Sequence, residues 1–272
     1  MTKIVQKRGY YAVVTDAGKE AKLTRVTTSL DWVLGDGKSA MAYYGGKQFA
    51  KYLAEVGERF DDEWMEYYVD WKASDYDPNK TLRRRGKEGT AAHTLFQKLL
   101  EDKVELEGPD HDGDWFFSAP GDIPFIANGF DRGVIELYIN EFRPVLLGGA
   151  KIECEKRLYW TEHPIDDCPD EVCTHGFSGT CDIFWPENQI DDLKTHVPGY
   201  RFSEWMQMAM YGAAAEQMYP DWSCDRQRIV IAHDEPDEDG KWYEVQDDRF
   251  LPVTAVPFFW ELYKVRRDWG PK

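Results

Sequence analysis

The spacing of apolar residues along this chain changes character several times. From Tyr10 to Thr15 and from Leu23 to Thr28, β-branched and aromatic residues sit between turn formers, which predicts two short strands. Between Ser39 and Ala73 the period lengthens. Ala42, Phe49, Leu53 and Val56, then Trp64, Tyr68 and Trp71, recur near the repeat of an amphipathic helix. Asp75 to Lys80 reads as a loop. Lys87 to Asp102 reads as a second helix, with Leu95, Phe96, Leu99 and Leu100 on its buried side. Gly, Pro and Asp crowd Glu107 to Ile126, predicting an irregular segment, and Arg132 to Phe142 predicts a short helix stopped before Pro144.

The second half is richer in strands. Ala150 to Trp160, Gly176 to Trp185 and Gln189 to Thr195 carry β-prone runs, the first two separated by an acidic loop. A helix follows from Ser203, a suitable N-cap, to Met218, and Pro220 closes it. Arg228 to His233 and Trp242 to Val245 suit a hairpin across Asp239-Gly240, and Phe258 to Arg267 a last helix. Together these elements predict an α/β (α+β) protein with a central mixed sheet flanked by helices. Residues 1–80 would form an N-terminal arm and helices covering a cleft, and residues 81–272 the core.

Composition narrows the function classes. A chain of 272 residues with 11 Trp, 15 Tyr and 14 Phe can bury a substantial core. No run approaches the roughly 20 apolar residues of a membrane span, and the first residues lack an apolar signal region, so a cytoplasmic protein is expected. A net charge of −17 argues against bulk coating of nucleic acid, but screening beyond roughly 8 Å leaves room for a local basic groove. Arg83, Arg84, Arg85 and Lys87 form one candidate patch, read as a DNA contact; Lys264, Arg266 and Arg267 read as a solvated face. The five cysteines are expected reduced. His163, Cys168, Cys173 and His175 match no standard zinc-knuckle spacing, so zinc is not expected there.

The segment from Gly179 to Thr195 carries the chemistry. Pro186, Glu187 and Asn188 break two β-prone runs, and a turn centred on Glu187 sets Asp182 directly opposite Asp192. Opposed side chains in an antiparallel pair lie only about 5 Å apart, so two carboxylates there repel unless a cation binds between them. Their hard oxygens suit Mg²⁺, with Mn²⁺ as a substitute. Lys194, two residues beyond Asp192, shares its strand face and can orient or deprotonate an attacking water. A turn centred one position away would instead bring Asp191 into the pair and turn Lys194 to the other face.

The surrounding residues form an ordered set. Gly89 to His93 on a helix, Glu153 or Glu155 on a strand, Gly179 to Asp182, Asp192 to Lys194, and Gln207 to Tyr211 on a helix follow one another along the chain. This order resembles the RecB-like exonucleases of the PD-(D/E)XK nuclease superfamily, over roughly residues 80 to 215. The stretch from Arg25 to Leu30 is similar to the N-terminal arm of phage and mitochondrial members, which suggests a phage-infected bacterial cell as the setting.

The resemblance implies a restriction-endonuclease-like core and a Mg²⁺-dependent DNA exonuclease serving repair, recombination or replication. Structure-specific endonuclease action on the same core and a non-catalytic acidic DNA mimic are the alternatives. It implies that Asp182 and Asp192 bind the metal with the Leu193 carbonyl, that Lys194 is the catalytic lysine, and that His93 lies near the metal or scissile phosphate. Glu155 is favoured over Glu153 as the remaining carboxylate, because the Lys-Arg-Leu-Tyr after it resembles the corresponding motif; strand alternation cannot separate the two. Gln207 and Tyr211 would border the site and touch the substrate strand. The implied partner is DNA with a free end or single strand, with a recombinase or single-strand-binding protein as a protein partner. No cysteine cluster follows Cys224, so no iron–sulfur centre is expected.

Overall fold

The computed structural model describes residues 2–7, 10–34, 78–111, 113–127, 129–195 and 202–269. The chain divides into two compact units, Met1–Leu34 with Ala92–Lys272, and Gly35–Ala91. The larger unit opens with a meander of β1 (Lys3–Gln6), β2 (Tyr10–Val14) and β3 (Glu20–Arg25), followed by α1 (Val26–Leu34). Helix α2 (Pro78–Leu100) enters it from Ala92 onward. A small antiparallel sheet of β4 (Glu105–Glu107), β5 (Phe116–Ser118) and β6 (Phe125–Ile126) comes next.

Then α3 (Phe130–Leu137) runs through a π-helical turn at Tyr138–Phe142 into α4 (Arg143–Leu147). The remaining elements are β7 (Glu153–Thr161), β8 (Val172–Cys173), β9 (Gly176–Trp185), β10 (Gln189–Lys194), α5 (Phe202–Met218), β11 (Arg226–Ala232), β12 (Tyr243–Gln246) and α6 (Val256–Trp269).

Among the described residues nine strands form the main sheet, in the order β1-β2-β3-β9-β10-β11-β12, with β7 on β9 and β8 on β3. It is mixed: β3 runs parallel to β8 and β9, β10 runs parallel to β11, and the other pairs are antiparallel. The protein is therefore α+β, with a central mixed sheet flanked by helices, as the sequence pattern predicts. Strand β9 is the hub. It pairs with β7 along its length, with β3 at its start and with β10 at its end.

Two apolar cores cover the faces of this sheet. On one, Trp205, Met208 and Ala209 of α5 and Phe259 and Trp260 of α6 pack against Leu158, Phe177, Ile190, Ile229 and Ile231. On the other, Ala92, Leu95, Phe96 and Leu99 of α2 and Val134, Ile135 and Leu137 of α3 pack against Ile183, Leu193, Val230 and Ala232. Ile190 and Leu193 of β10 thus bury opposite faces of a strand that is covered on both sides.

Several expectations change. Strands β1 to β3, expected in an arm, are built into the main sheet through the parallel β3–β9 pair. Helix α2 begins at Pro78, where a loop was expected, because proline at a first helical turn loses no bond. The segment expected to be irregular from Glu107 to Ile126 holds two strands of the small sheet; Leu106, Trp115 and Phe117 pack on the second core and anchor it. The helix expected to stop before Pro144 continues to Leu147. The π turn just before the proline widens the backbone where its ring would otherwise meet the preceding carbonyl. The helix expected from Ser39 to Ala73 lies outside the described residues.

Candidate active site

The predicted register holds. Gln189 stands opposite Trp185, Ile190 opposite Phe184 and Asp191 opposite Ile183; Asp192 and Asp182 are the next positions on the two strands, just past the last paired residues. On the other edge of β9, Cys154 faces Ile183 and Lys156 faces Cys181, so Glu155 falls opposite Asp182. Glu155, Asp182 and Asp192 therefore form one row across three adjacent strands.

The backbone is irregular along this row. Glu155 has φ of 52°, in the left-handed region that costs a β-carbon-bearing residue about 1 kcal/mol or more. Cys181 and Ile183, two apart, enter opposite cores, so the alternation of β9 slips at Asp182. Beyond Asp191 the β9–β10 ladder gives way, and the Leu193 N–H donates to the Asp182 carboxylate at 2.9 Å. A side chain thus replaces a carbonyl as acceptor and ties the Asp182 carboxylate beside β10.

The positive φ also separates Glu155 from Glu153. Glu153 accepts from the Lys156 ammonium at 2.6 Å on the surface. Glu155 instead has its carboxyl raised above the ordinary range, by partial burial and then by the negative charge of Asp192, with Arg157 opposing.

Asp192 is 2% exposed and ion-paired with the Lys194 ammonium. The Lys194 Nζ also donates to Gln207 Oε1 at 3.1 Å, and Gln207 Nε2 reaches Asp192 Oδ1 at 3.4 Å and Tyr211 Oη at 2.9 Å. Gln207 and Tyr211 are buried one turn apart on α5, where they brace the Asp192–Lys194 pair from within the protein. Gly179 is the complement of Tyr211. A β-carbon there would stand 2.6 Å from the tyrosine ring, so the glycine makes room for the brace.

Electrostatics along the row are frustrated. Burial pushes the Asp182 carboxyl well above its ordinary range, and Asp192 and Glu155 push it further; Lys194 and the Leu193 N–H pull the other way. Burial alone would lower the Lys194 pKa, but Asp192 and Asp182 outweigh it and hold the ammonium charged. His93 stands 3.4 Å from Asp182 Oδ2 through its Nδ1. Burial lowers its pKa below the ordinary histidine value; Asp192 opposes this and Lys194 adds to it.

The adjacent Asp191 is a different object. Fully buried on the other face of β10, it accepts from Arg228 Nε at 3.0 Å and Nη2 at 2.6 Å, from Trp185 Nε1 at 2.8 Å and from Gln189 Nε2 at 2.8 Å. The register alternative that would have placed Asp191 in the row is excluded by this bonding. Sequence reasoning missed Arg228, whose distance in the chain hides its partnership.

Three carboxylates on adjacent strands are a donor set suited to a hard divalent cation, and two of them, Asp182 and Glu155, are raised by burial first and by the charge of Asp192 second. No three of His93, Glu155, Asp182 and Asp192 bring ligand atoms within 4.8 Å of one another. With Lys194 on Asp192 and like charges facing each other, closing the row around an ion requires side-chain adjustment.

The remaining predicted residues fall elsewhere. Arg83, Arg84, Arg85 and Lys87 are exposed on the first turns of α2, in the smaller unit, with Glu88 3.6 Å from Arg84 and 3.8 Å from Arg85. Lys264 pairs with Glu162 at 2.5 Å and Glu261 at 2.6 Å, in keeping with a solvated face.

No family model and no curated protein matches the chain. Among solved structures it is similar to the protein described as "Crystal structure of SSO0001", with 12% identity and a TM-score of 0.31 over 66% of this chain and 87% of that one. Among the described residues no helix is long and apolar enough to cross a membrane.

Proposed function

We propose that the protein is a Mg²⁺-dependent deoxyribonuclease of the PD-(D/E)XK type, acting in the cytoplasm as an exonuclease on DNA ends or single strands. One observation carries this reading: Glu155, Asp182 and Asp192 lie in one row across three strands, with a buried lysine on the last of them. The ordered motifs that resemble RecB-like exonucleases support it.

Glu155, Asp182 and Asp192 would hold the ion, with Leu193 contributing its carbonyl. When bound, Mg²⁺ supplies Lewis-acid polarisation of a phosphate oxygen and acidifies nearby water. Lys194 keeps its proton and would orient the attacking water and balance charge on phosphorus. Gln207 and Tyr211 fix the lysine and Asp192. His93 stays neutral near pH 7, able to donate one N–H beside Asp182. Exposed Ile123 and Phe125, on and beside the small sheet, would offer apolar faces to unstacked bases. Arg83, Arg84, Arg85 and Lys87 would contact phosphates.

The test incubates purified protein with Mg²⁺ on linear and covalently closed circular DNA. Linear DNA should be degraded, circles should survive, and EDTA should stop digestion. Lys194→Ala should slow hydrolysis by about 10²–10³-fold, the loss typical for one transition-state-stabilising donor. Undiminished hydrolysis by Lys194→Ala refutes the site. Cutting of closed circles at the same rate converts the assignment to an endonuclease. Failure to cut any DNA or RNA leaves an acidic interaction protein, in keeping with the net charge of −17.

A further inference from the structure

The connection between β7 and β9 gathers a second set of chemistry-bearing side chains, far from the carboxylate row. It leaves β7 at Thr161, six positions beyond Glu155, or about 20 Å at ~3.3 Å per residue. Within it, ligand atoms of His163, Cys168 and Cys173 lie within 4.8 Å of one another, and so do those of Cys168, Asp170 and His175. Cys168 belongs to both sets.

We propose that His163, Cys168, Cys173 and His175 bind one structural zinc ion. Spacing along the chain gave no reason to expect this, because the four residues converge only through a 3-10 turn at Ile165–Asp167 and the short strand β8. Three observations point to a metal. Cys168 and Cys173 are 4% and 0% exposed, and neither is in a disulfide. The Nδ1 of His163 is buried with no hydrogen-bond partner, an uncompensated cost that a bond to a metal would remove. His175 Nε2 meets Asp170 Oδ2 at 2.8 Å, the carboxylate–histidine arrangement that orients a metal ligand, while its Nδ1, the nitrogen left for the ion, now faces Glu162 Oε2 at 3.6 Å.

A single ion needs the two sets drawn together around Cys168. Tetrahedral zinc, with bonds of about 2.0 Å to nitrogen and 2.3 Å to sulfur, sets neighbouring ligand atoms roughly 3.3–3.8 Å apart. The His163–Cys168–Cys173 set needs to contract to reach this, and His175, which shares only Cys168 with that set, must swing towards it as the ion binds. Two thiolates with two imidazoles favour zinc over Mg²⁺, and four protein ligands leave no open position for catalysis. The ion's role is to anchor. Val172 and Cys173 pair with Glu20 and Ala21 of β3, the Lys19 ammonium donates to the Cys168 carbonyl, and Thr15 Oγ1 donates to Asp166 at 2.6 Å. Zinc would lock this connection onto the N-terminal meander, beside the small core of Val13, Ala21, Leu23 and Ile165.

The test is metal analysis of the full-length protein, purified under reducing conditions without a metal-affinity step, before and after zinc addition and desalting. One zinc per chain is expected. The Co²⁺-substituted protein should show thiolate-to-metal charge-transfer absorption and a tetrahedral ligand-field spectrum. Cys168→Ser and His163→Ala should lose the zinc, whereas Cys154→Ser and Asp192→Asn should keep it. Wild-type content and the cobalt spectrum decide the matter even if a buried-cysteine variant does not fold. Content well below one zinc per chain after reconstitution, retention of zinc in Cys168→Ser, or a Cys168–Cys173 disulfide in its place overturns the proposal. None of these readouts depends on nuclease activity.

Discussion

Asp191 and Asp192 are chain neighbours with identical side chains, and β10 turns them to opposite faces of the sheet. Asp191 is fully buried, yet two Arg228 nitrogens, the Trp185 indole and the Gln189 amide satisfy it. Asp192 is almost as buried, with Lys194 as the cation beside it, but its charge adds to burial in raising the carboxyls of Asp182 and Glu155. The first arrangement is closed and stabilises the fold only as an intact unit. The second holds an electrostatic conflict that the chain alone does not resolve. Burial therefore does not separate the two carboxylates; what does is whether other carboxylates stand among their neighbours.

Breaking the closed side should give the largest change in stability. Arg228→Met removes the cation and leaves Asp191 buried and unpaired, which should cost about 3–5 kcal/mol in urea unfolding. The double variant Asp191→Asn/Arg228→Met should recover much of that loss, since it leaves no orphaned charge. Nuclease activity per folded molecule should stay within a few-fold of wild type. Asp192→Asn should show the reverse pattern, with activity lost and stability little changed. Equal unfolding penalties for Arg228→Met and Asp192→Asn would erase the contrast between the two faces.

The contrast was only partly legible in the sequence. The register of the β9–β10 hairpin could be derived, because Pro186, Glu187 and Asn188 mark the turn and register is arithmetic once a turn is placed. The ordering of Gly179, Asp182, Asp192, Lys194, Gln207 and Tyr211 was equally visible. The physical reason for Gly179 was not, since it lies in the ring of Tyr211, 32 positions later. The role of Arg228 was hidden for the same reason: a parallel strand pair brings it to Asp191 across a helix. Simple alternation failed at the row itself. There Glu155 adopts a left-handed conformation and β9 changes faces, irregularities that side-chain spacing does not encode.

A smaller effect should appear in the pH dependence of the metal-free protein. The Asp182 carboxyl is held above its ordinary value near 3.8, by burial first and then by Asp192. Between that value and the raised one, the folded state binds more protons than the unfolded state. This group's contribution is therefore fully present below pH 3.8 and is lost as pH rises through the folded-state value. Asp182→Asn in EDTA should flatten that part of the profile and raise stability at neutral pH by on the order of 1 kcal/mol. Added Mg²⁺ should stabilise the wild type more as pH rises and Asp182→Asn hardly at all. A parallel pH profile for the two proteins would show that the row is not in conflict.

The smallest expected effect separates the two glutamates of β7. At φ of 52°, Glu155 pays for a backbone that asparagine tolerates better, and it adds a third negative charge to the row. Glu155→Asn should therefore stabilise the metal-free protein by a few tenths to about 1 kcal/mol while lowering its activity. A residue whose replacement improves the fold is held in place by what it does rather than by what it packs against. Glu153 has no such strain, and its bond to Lys156 lies on the surface, so Glu153→Asn should change stability by less than about 0.5 kcal/mol and spare hydrolysis. If Glu153→Asn abolishes cleavage and Glu155→Asn does not, the carboxylate row must be redrawn through Glu153, and the left-handed turn at Glu155 becomes a bend that serves its neighbour.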